Sequence, residues 1–178
     1  MPEHREGTPE RFRALESFLW HDFADGAPGW LVWNQRLWPE VPEAEVTTSC
    51  ANALQLHQAL RSLQAHNNGI DSGAPDEAAA LLNQLIVTHG VRPAVDTEGQ
   101  VALTTAAQGN PTARLLVLAL QAMQLGVWRR FKVCRDATCG ASYFDASKAA
   151  VKAWCSMDTC GSRNKMRRYR TRRLQEGT

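Results

Sequence analysis

The chain has 178 residues, of which 44% are apolar, and its formal net charge is +2 at pH 7. This length allows one sizeable hydrophobic core and at most a small appended module. No apolar run approaches the ~18 residues of a membrane-spanning helix. The first twelve residues lack the apolar stretch of a secretory signal, so we expect a cytoplasmic protein without a membrane partner.

The small net charge conceals two segments of opposite sign. Residues 1–128 contain 7 Lys and Arg against 14 Asp and Glu, whereas residues 129–178 contain 13 against 4. A basic segment at one end of a chain is typical of proteins that bind a polyanion, although a solvated basic tail has the same composition.

Helical patterns dominate the acidic segment. GTPERFRALESFLW predicts a helix with Thr8 as N-cap and Pro9 at its first position. GWLVWNQRLW predicts a short second helix that ends before Pro39. A longer third helix is expected to be capped by Thr47 or Thr48 and to stop at Asn-Asn-Gly.

Three further elements follow in the acidic segment. APDEAAALLNQLIVTHG predicts a helix that starts near Pro75 and stops before Gly90. RPAVDTEGQVALTT predicts a β-hairpin. Asn110 is expected to cap the next helix, whose nearly all-round apolar surface is typical of the centre of a domain.

Four of the five cysteines lie in the basic segment with the spacing C-x4-C-x15-C-x4-C. Each close pair supplies two sulfurs from one turn, which suits a tetrahedral site of four thiolates. We predict one structural Zn²⁺ per chain, because four protein ligands leave no position for a substrate. An iron–sulfur cluster and redox-active dithiols are the alternatives. The predicted ligands are Cys134, Cys139, Cys155 and Cys160.

The region around these cysteines has few large apolar residues, so the metal is expected to supply the missing folding energy. The predicted fold class is therefore mostly α. A helical N-terminal domain with a small β-hairpin spans residues 8–128. A four-cysteine zinc-binding module that ends in a basic helix spans residues 129–176.

The segment SMDTCGSRNKMRRYRTRRLQ predicts this basic helix, with Ser156 as N-cap. Met166 and Tyr169 are expected to face the core of the module, and cations cover the other faces. Lys and Arg neutralise phosphates, and the major groove of DNA admits a helix. The candidate DNA-binding residues are Lys148, Lys152, Arg163, Lys165, Arg167, Arg168, Arg170, Arg172 and Arg173.

Other partners suit a basic helix as well. It would dock on an acidic protein or on the acidic domain of its own chain, which would make the protein a zinc-stabilised interaction module. RNA is a further candidate, although aromatic side chains for base stacking are sparse. We find no metalloprotease motif, nucleophile elbow or phosphate loop, and we predict that the protein is not an enzyme.

Four tryptophans lie within nineteen residues of the acidic segment. Aromatic walls with a few polar groups are typical of small-molecule pockets, and an ordinary aromatic core is the alternative. The candidate ligand-binding residues are Trp20, His21, Trp33, Asn34 and His57.

The stretch from Cys134 to Arg173 resembles the zinc finger of the bacterial CGNR family. The resemblance is carried by the paired cysteines, by YFD before the central loop, by WCS at the third cysteine, and by TCG and RRYR around the fourth. Ser162 replaces the asparagine that follows Cys-Gly in the family. We expect this serine to keep the turn by accepting a backbone hydrogen bond.

Residues from about 12 to 128 resemble, more loosely, the helical N-terminal domain of that family, called ABATE. The resemblance implies a DNA-binding transcription regulator whose N-terminal domain senses a small-molecule effector or mediates assembly. Double-stranded DNA is then the partner, and a homodimer would suit palindromic sites.

Overall fold

A computed structural model describes residues 7–71 and 75–176. Within these ranges the chain forms six α-helices and two antiparallel hairpins, which confirms the mostly α fold class. The helices are α1 (Arg13–Trp20), α2 (Ala27–Leu37), α3 (Glu43–Asn67), α4 (Pro75–Thr88), α5 (Pro111–Gln124) and α6 (Ser162–Glu176). The strands are β1 (Arg92–Val95), β2 (Val101–Thr104), β3 (Phe131–Val133) and β4 (Ser142–Phe144).

No helix among the described residues combines the length and apolar character of a membrane span. Part of the segment that we expect to lack a signal sequence, residues 1–6, lies outside the described residues.

Most helix ends lie where the sequence predicts them. Asn110 caps α5 by accepting a hydrogen bond from the Ala113 N–H at 3.1 Å. Gly90 follows α4 with a φ of 57°, a left-handed conformation that favours glycine. The prediction for Thr8 is wrong: Pro9 is the N-cap of a 3-10 turn that leads into α1, and no side chain caps it.

The predicted start of α3 is also wrong. The helix begins at Glu43, so Thr47 and Thr48 lie inside it, and the Thr48 hydroxyl donates to the Glu45 carbonyl at 3.0 Å. Glu43 and Glu45 place negative charge in the first turn, which favours this earlier start through the helix dipole. The end of the helix at Asn67 agrees with the Asn-Asn-Gly signal.

α3 is the central element of the fold. It packs against α1, α2, α4 and α5, and also against β3. Leu56 and Leu60 on α3 are fully buried. The same hydrophobic core continues into the C-terminal segment, because it includes Phe131 of β3 and Phe144 of β4. The cysteine-rich module therefore packs directly on the helical part.

Candidate metal centre and basic helix

The first cysteine pair lies on the turn between β3 and β4. The Cys134 N–H donates to the Ala141 carbonyl at 2.9 Å, and the Cys139 N–H donates to the Asp136 carbonyl at 2.8 Å. Gly140 has a φ of 57°, which lets the chain reverse after Cys139. This turn directs both sulfurs to the same side of the hairpin.

The second pair lies where the chain enters α6. The Cys155 N–H donates to Cys134 Sγ at 3.5 Å, which ties this segment to the first turn. Ser156 caps the following π-helical turn by accepting from the Thr159 N–H at 3.4 Å. Cys160 lies in that turn, directly before α6. The predicted cap at Ser156 is confirmed, and the fourth cysteine fixes the start of the helix.

The four cysteines are free thiols whose sulfur atoms all lie within 4.8 Å of one another. The Cys139–Cys155 and Cys155–Cys160 sulfur pairs are each 3.7 Å apart. A tetrahedral zinc ion with Zn–S bonds of about 2.3 Å holds its sulfurs about 3.8 Å apart. The donor set and its spacing therefore fit one structural zinc ion.

Two of the four thiols, those of Cys134 and Cys160, are difficult to ionise without a nearby cation. Burial raises the pKa of Cys134 and raises that of Cys160 to about 12. Burial also acts to raise the pKa of the Cys139 thiol. Hydrogen bonds from the Ala141 backbone and from the neighbouring thiols outweigh this effect and bring its pKa below the usual value. Because zinc binds the thiolate form, its positive charge offsets the cost of ionising these buried sulfurs.

The basic helix leaves the module after its first turn. Of positions 162–175, only Asn164 is buried, and its side-chain amide donates to the Cys160 carbonyl at 2.9 Å. The prediction that Met166 and Tyr169 face the core is wrong, because they are 52% and 47% exposed. The module is small and its interior is occupied by the metal site. It therefore offers no further surface against which the second and third turns of α6 could pack.

Two of the predicted DNA-binding arginines have partners within the protein. Arg163 Nη1 lies 3.0 Å from Asp136 Oδ2 and donates to Thr138 Oγ1 at 2.7 Å. Asp136 is fully buried. Burial opposes its ionisation, but hydrogen bonds from Thr138 and the charge of Arg163 hold its pKa below the usual value. Arg167 donates to Asn164 Oδ1. Arg163 therefore fastens α6 to the first cysteine turn.

The other helix cations extend away from the module. The side chains of Lys165, Arg168, Arg170 and Arg172 have no hydrogen bond or ion pair with any residue in the ranges 7–71 and 75–176. Arg173 lies over the ring of Tyr169, 5.6 Å from its centroid. A row of unpaired cations on an exposed helix is suited to a polyanion.

The two loop lysines differ from those of the helix. Lys148 is exposed, whereas Lys152 is half-buried and its backbone N–H donates to Asp145 Oδ2 at 2.8 Å. The buried lysine is Lys132, which the sequence analysis missed; its Nζ lies 2.8 Å from Asp145 Oδ2. Burial acts to raise the pKa of Asp145, but hydrogen bonds from Lys132 and Ser147 lower it to about 2.

The candidate ligand-binding residues contribute to an aromatic cluster. Trp33 stacks on Trp30 with ring centroids 5.5 Å apart, and Asn34 is fully buried and donates to the Trp30 carbonyl. The His57 ring lies 5.1 Å from that of Phe18, and burial lowers its pKa to about 4. These contacts are those of a packed core.

The remaining two candidates lie nearer the surface. Trp20 is 38% exposed at the end of α1. The half-buried His21 follows it, with its ring 4.6 Å from that of Phe23. The small-molecule role of all five residues remains a prediction.

Two side chains near the end of α3 that were not predicted from the sequence also hold the module. Arg61 donates to the Gly140 carbonyl at 2.7 Å, directly after the ligand Cys139. Gln64 is fully buried and donates to Ser142 Oγ at 2.8 Å. The sequence gives no local signal for these contacts, because the partners lie 78 and 79 residues apart along the chain.

Comparison with known families connects the metal site to the helix. Residues 130–173 match the family model described as CGNR zinc finger. The matched segment contains both cysteine pairs and most of α6, and the N-terminal helices lie outside it. A search of the curated proteins finds no match to the chain.

Proposed function

Because residues 130–173 form a CGNR zinc finger that holds one structural zinc ion, we propose that the protein is a DNA-binding transcription regulator. In this proposal it acts in the cytoplasm and is not an enzyme. The zinc site orients α6, and α6 binds double-stranded DNA. The N-terminal domain senses a small-molecule effector or mediates assembly as a homodimer.

The exposed cations of α6 carry this proposal. Seven Lys and Arg lie between residues 163 and 173, and like charges this close on a helix repel one another. A polyanion removes the repulsion, and release of its condensed counterions adds affinity. The α6 helix has 15 residues, so it is about 22 Å long and can lie along the major groove.

Docking on the acidic N-terminal domain is a weaker explanation for the same charge. Among the described residues, the single ion pair of α6 joins Arg163 to Asp136, which belongs to the zinc module itself. Arg167 bonds to Asn164 of the same helix, and the remaining cations extend away from the module. An external polyanion accounts for them better than an intramolecular partner does. DNA is favoured over RNA because the major groove of an A-form helix is too narrow for a protein helix.

Fluorescence anisotropy tests the proposal with the zinc-loaded full chain. Duplexes selected from a randomised pool, random duplex and structured RNA are titrated at several salt concentrations. We expect the selected duplex to bind most tightly. Replacing Arg172 with alanine should weaken binding to all duplexes and should lower the slope of log K against log salt by about 0.9. Arg92→Ala, on the exposed hairpin strand β1, is the charge-matched control and should change neither quantity.

Two outcomes would overturn the proposal. Absence of nucleic-acid binding would point to an acidic protein partner for α6. Preferential binding of RNA would make the protein an RNA-binding protein. Assembly is tested separately, by light scattering of the protein with and without a palindromic duplex.

A further inference from the structure

The outer side of α6 carries large apolar side chains as well as cations. Met166 is 52% exposed and Tyr169 is 47% exposed. Full burial of side chains of this size stabilises a protein by about 1.5–3 kcal/mol each, so leaving both in water forgoes that stabilisation. Neighbouring exposed apolar residues rimmed by polar ones mark an interaction site.

Helix geometry places these residues on the side that faces away from the zinc module. The module side of α6 is defined by Asn164, the one buried position between 162 and 175. With about 100° per residue, Met166 and Tyr169 lie within about 40° of the direction opposite Asn164. Ser162, also exposed, lies on the same side one turn earlier. We call Ser162, Met166 and Tyr169 the outer stripe.

Cations without protein partners flank the outer stripe on both sides. Lys165 and Arg172 lie about 80–100° from Asn164 around the helix axis on one side. Arg170 lies about 120° from Asn164 on the other side. None of these three side chains makes a hydrogen bond or ion pair with the described residues. The centre of this surface is thus apolar from Met166 to Tyr169, and both edges are positively charged. Arg173 lies on the same side in the last turn, over the Tyr169 ring.

The charge of the flanks decides which partner fits this surface. A second copy of α6 would bring its own seven cations against the first set, which repulsion opposes. The major groove of B-DNA has phosphates on both rims, and its floor carries the 5-methyl groups of thymine. The groove is about 12 Å wide, which matches the diameter of a helix with its side chains.

We propose that the outer stripe determines sequence specificity by contacting base edges in the major groove. This inference rests on the proposed DNA-binding function. Met166 and Tyr169 contact thymine methyl groups, and the Ser162 hydroxyl accepts a hydrogen bond from a base amino group. That hydroxyl donates its proton to the Met157 carbonyl at 3.2 Å. The expectation that Ser162 accepts a backbone hydrogen bond is therefore wrong, and its lone pairs are free to accept from a base. Lys165, Arg170 and Arg172 bind phosphates on the rims.

Arg163 has a different role from the residues that bind DNA. Its guanidinium is held by Asp136 and Thr138, so it positions α6 on the zinc module. Its removal should change the orientation of the helix.

The test uses the zinc-loaded full chain and a duplex selected from a randomised pool. Each thymine is replaced in turn by deoxyuridine, which deletes only the 5-methyl group. We expect at least one replacement to weaken wild-type binding about fourfold, the value of one buried methyl-sized group. Met166→Ala or Tyr169→Ala should weaken binding to the selected duplex and abolish the effect of one such replacement. Neither variant should change binding to random duplex or the salt slope.

Leu174→Ala is the matched control, because Leu174 is 76% exposed on the same helix but lies off the outer stripe. It should retain the wild-type response to every thymine replacement. Selective binding that neither Met166→Ala nor Tyr169→Ala alters would overturn the inference and leave the proposed function intact. Absence of duplex binding by the wild type would overturn both.

Discussion

The two parts of the molecule are stabilised in different ways. Around α3, the fully buried side chains are mainly apolar, with Phe18, Trp30 and Leu56 at the centre. In the zinc module, buried positions hold charged and polar residues such as Lys132 and Asp145, each with hydrogen-bond partners. A small module cannot exclude water with apolar volume alone, so a metal and a satisfied polar network replace the core.

The junction of the two parts combines both kinds of contact. The Phe131 and Phe144 rings, 5.1 Å apart, extend the apolar core of the helical part into β3 and β4. Beside them, the Asn68 amide at the end of α3 donates to the Val133 carbonyl at 2.7 Å and the Ala153 carbonyl at 2.9 Å. The helical core supports the module, whereas the metal acts within the module.

Zinc removal should show the sharpest contrast between the two parts. A strong chelator, or Cys160→Ser, removes a contribution of zinc binding to the folding free energy that is on the order of 10 kcal/mol. We expect amide hydrogen exchange to become fast in β4 and α6, while α2 and α5 remain protected by their apolar core. Cys50→Ala is the control, because Cys50 lies in α3, outside the metal site, and its variant should still bind one zinc per chain. Equal loss of protection in α5 would contradict the division into two kinds of stability.

Truncation of a core ring tests the other side of the comparison. Trp30 is fully buried, and its Nε1 donates to the Val46 carbonyl at 2.9 Å. Trp30→Ala should lower the free energy of unfolding by about 3–5 kcal/mol, as measured by urea denaturation of the zinc-loaded protein. Val87→Ala, at a position 81% exposed in α4, should cost less than about 1 kcal/mol. A similar cost for both variants would show that the ring cluster is not the main source of stability.

The junction should respond to loss of a single amide. Asn68→Ala leaves the carbonyls of Val133 and Ala153 without this donor, so we expect a loss of about 2 kcal/mol of unfolding free energy. Hydrogen exchange should rise first in the zinc module. Asn83→Ala, on the exposed side of α4, is the control and should change stability little. A loss confined to the helical part would show that this amide does not link the two parts.

The smallest effect expected is a dependence of stability on pH that arises in the helical core. Burial, followed by the nearby charge of Arg61, lowers the pKa of His57 to about 4. Hydrogen bonds to the backbone of His21 and Leu19, and then the charge of Asp22, act in the opposite direction. His57 therefore binds a proton near pH 6.5 in the unfolded chain, but it stays neutral in the folded chain until the pH is near 4. Because the unfolded state binds more protons in this range, the free energy of unfolding falls as the pH drops from 6.5 towards 4. Between pH 7.5 and 5.5 we expect a loss of about 1 kcal/mol.

Comparison with His57→Phe isolates the contribution of this histidine, because proton binding by the zinc ligands affects both proteins equally. Urea denaturation in excess zinc at the two pH values gives the difference. An identical pH dependence in both proteins would show that His57 does not remain neutral in the folded state.

Several features of the protein could be predicted from short stretches of sequence. The Asn110 cap, the stop at Gly90 and the four-cysteine spacing each depend on residues that lie close together along the chain. At other helix ends, prolines and the helix dipole also influence which residue starts the helix. For this reason α3 begins at Glu43 rather than beside Thr47. The existence of each element was thus more predictable than its first residue.

The sequence alone determined a helical N-terminal part, a zinc site of four cysteines and a basic helix after the fourth, because local spacing governs caps, periodicity and paired ligands. Only the tertiary structure decided that Arg163 binds Asp136, that Lys132 is buried, and that Met166 and Tyr169 face solvent. The partners of these arginine and lysine side chains lie 27 and 13 residues away. Such contacts depend on how the zinc turns and α3 are oriented in space, which local periodicity does not encode.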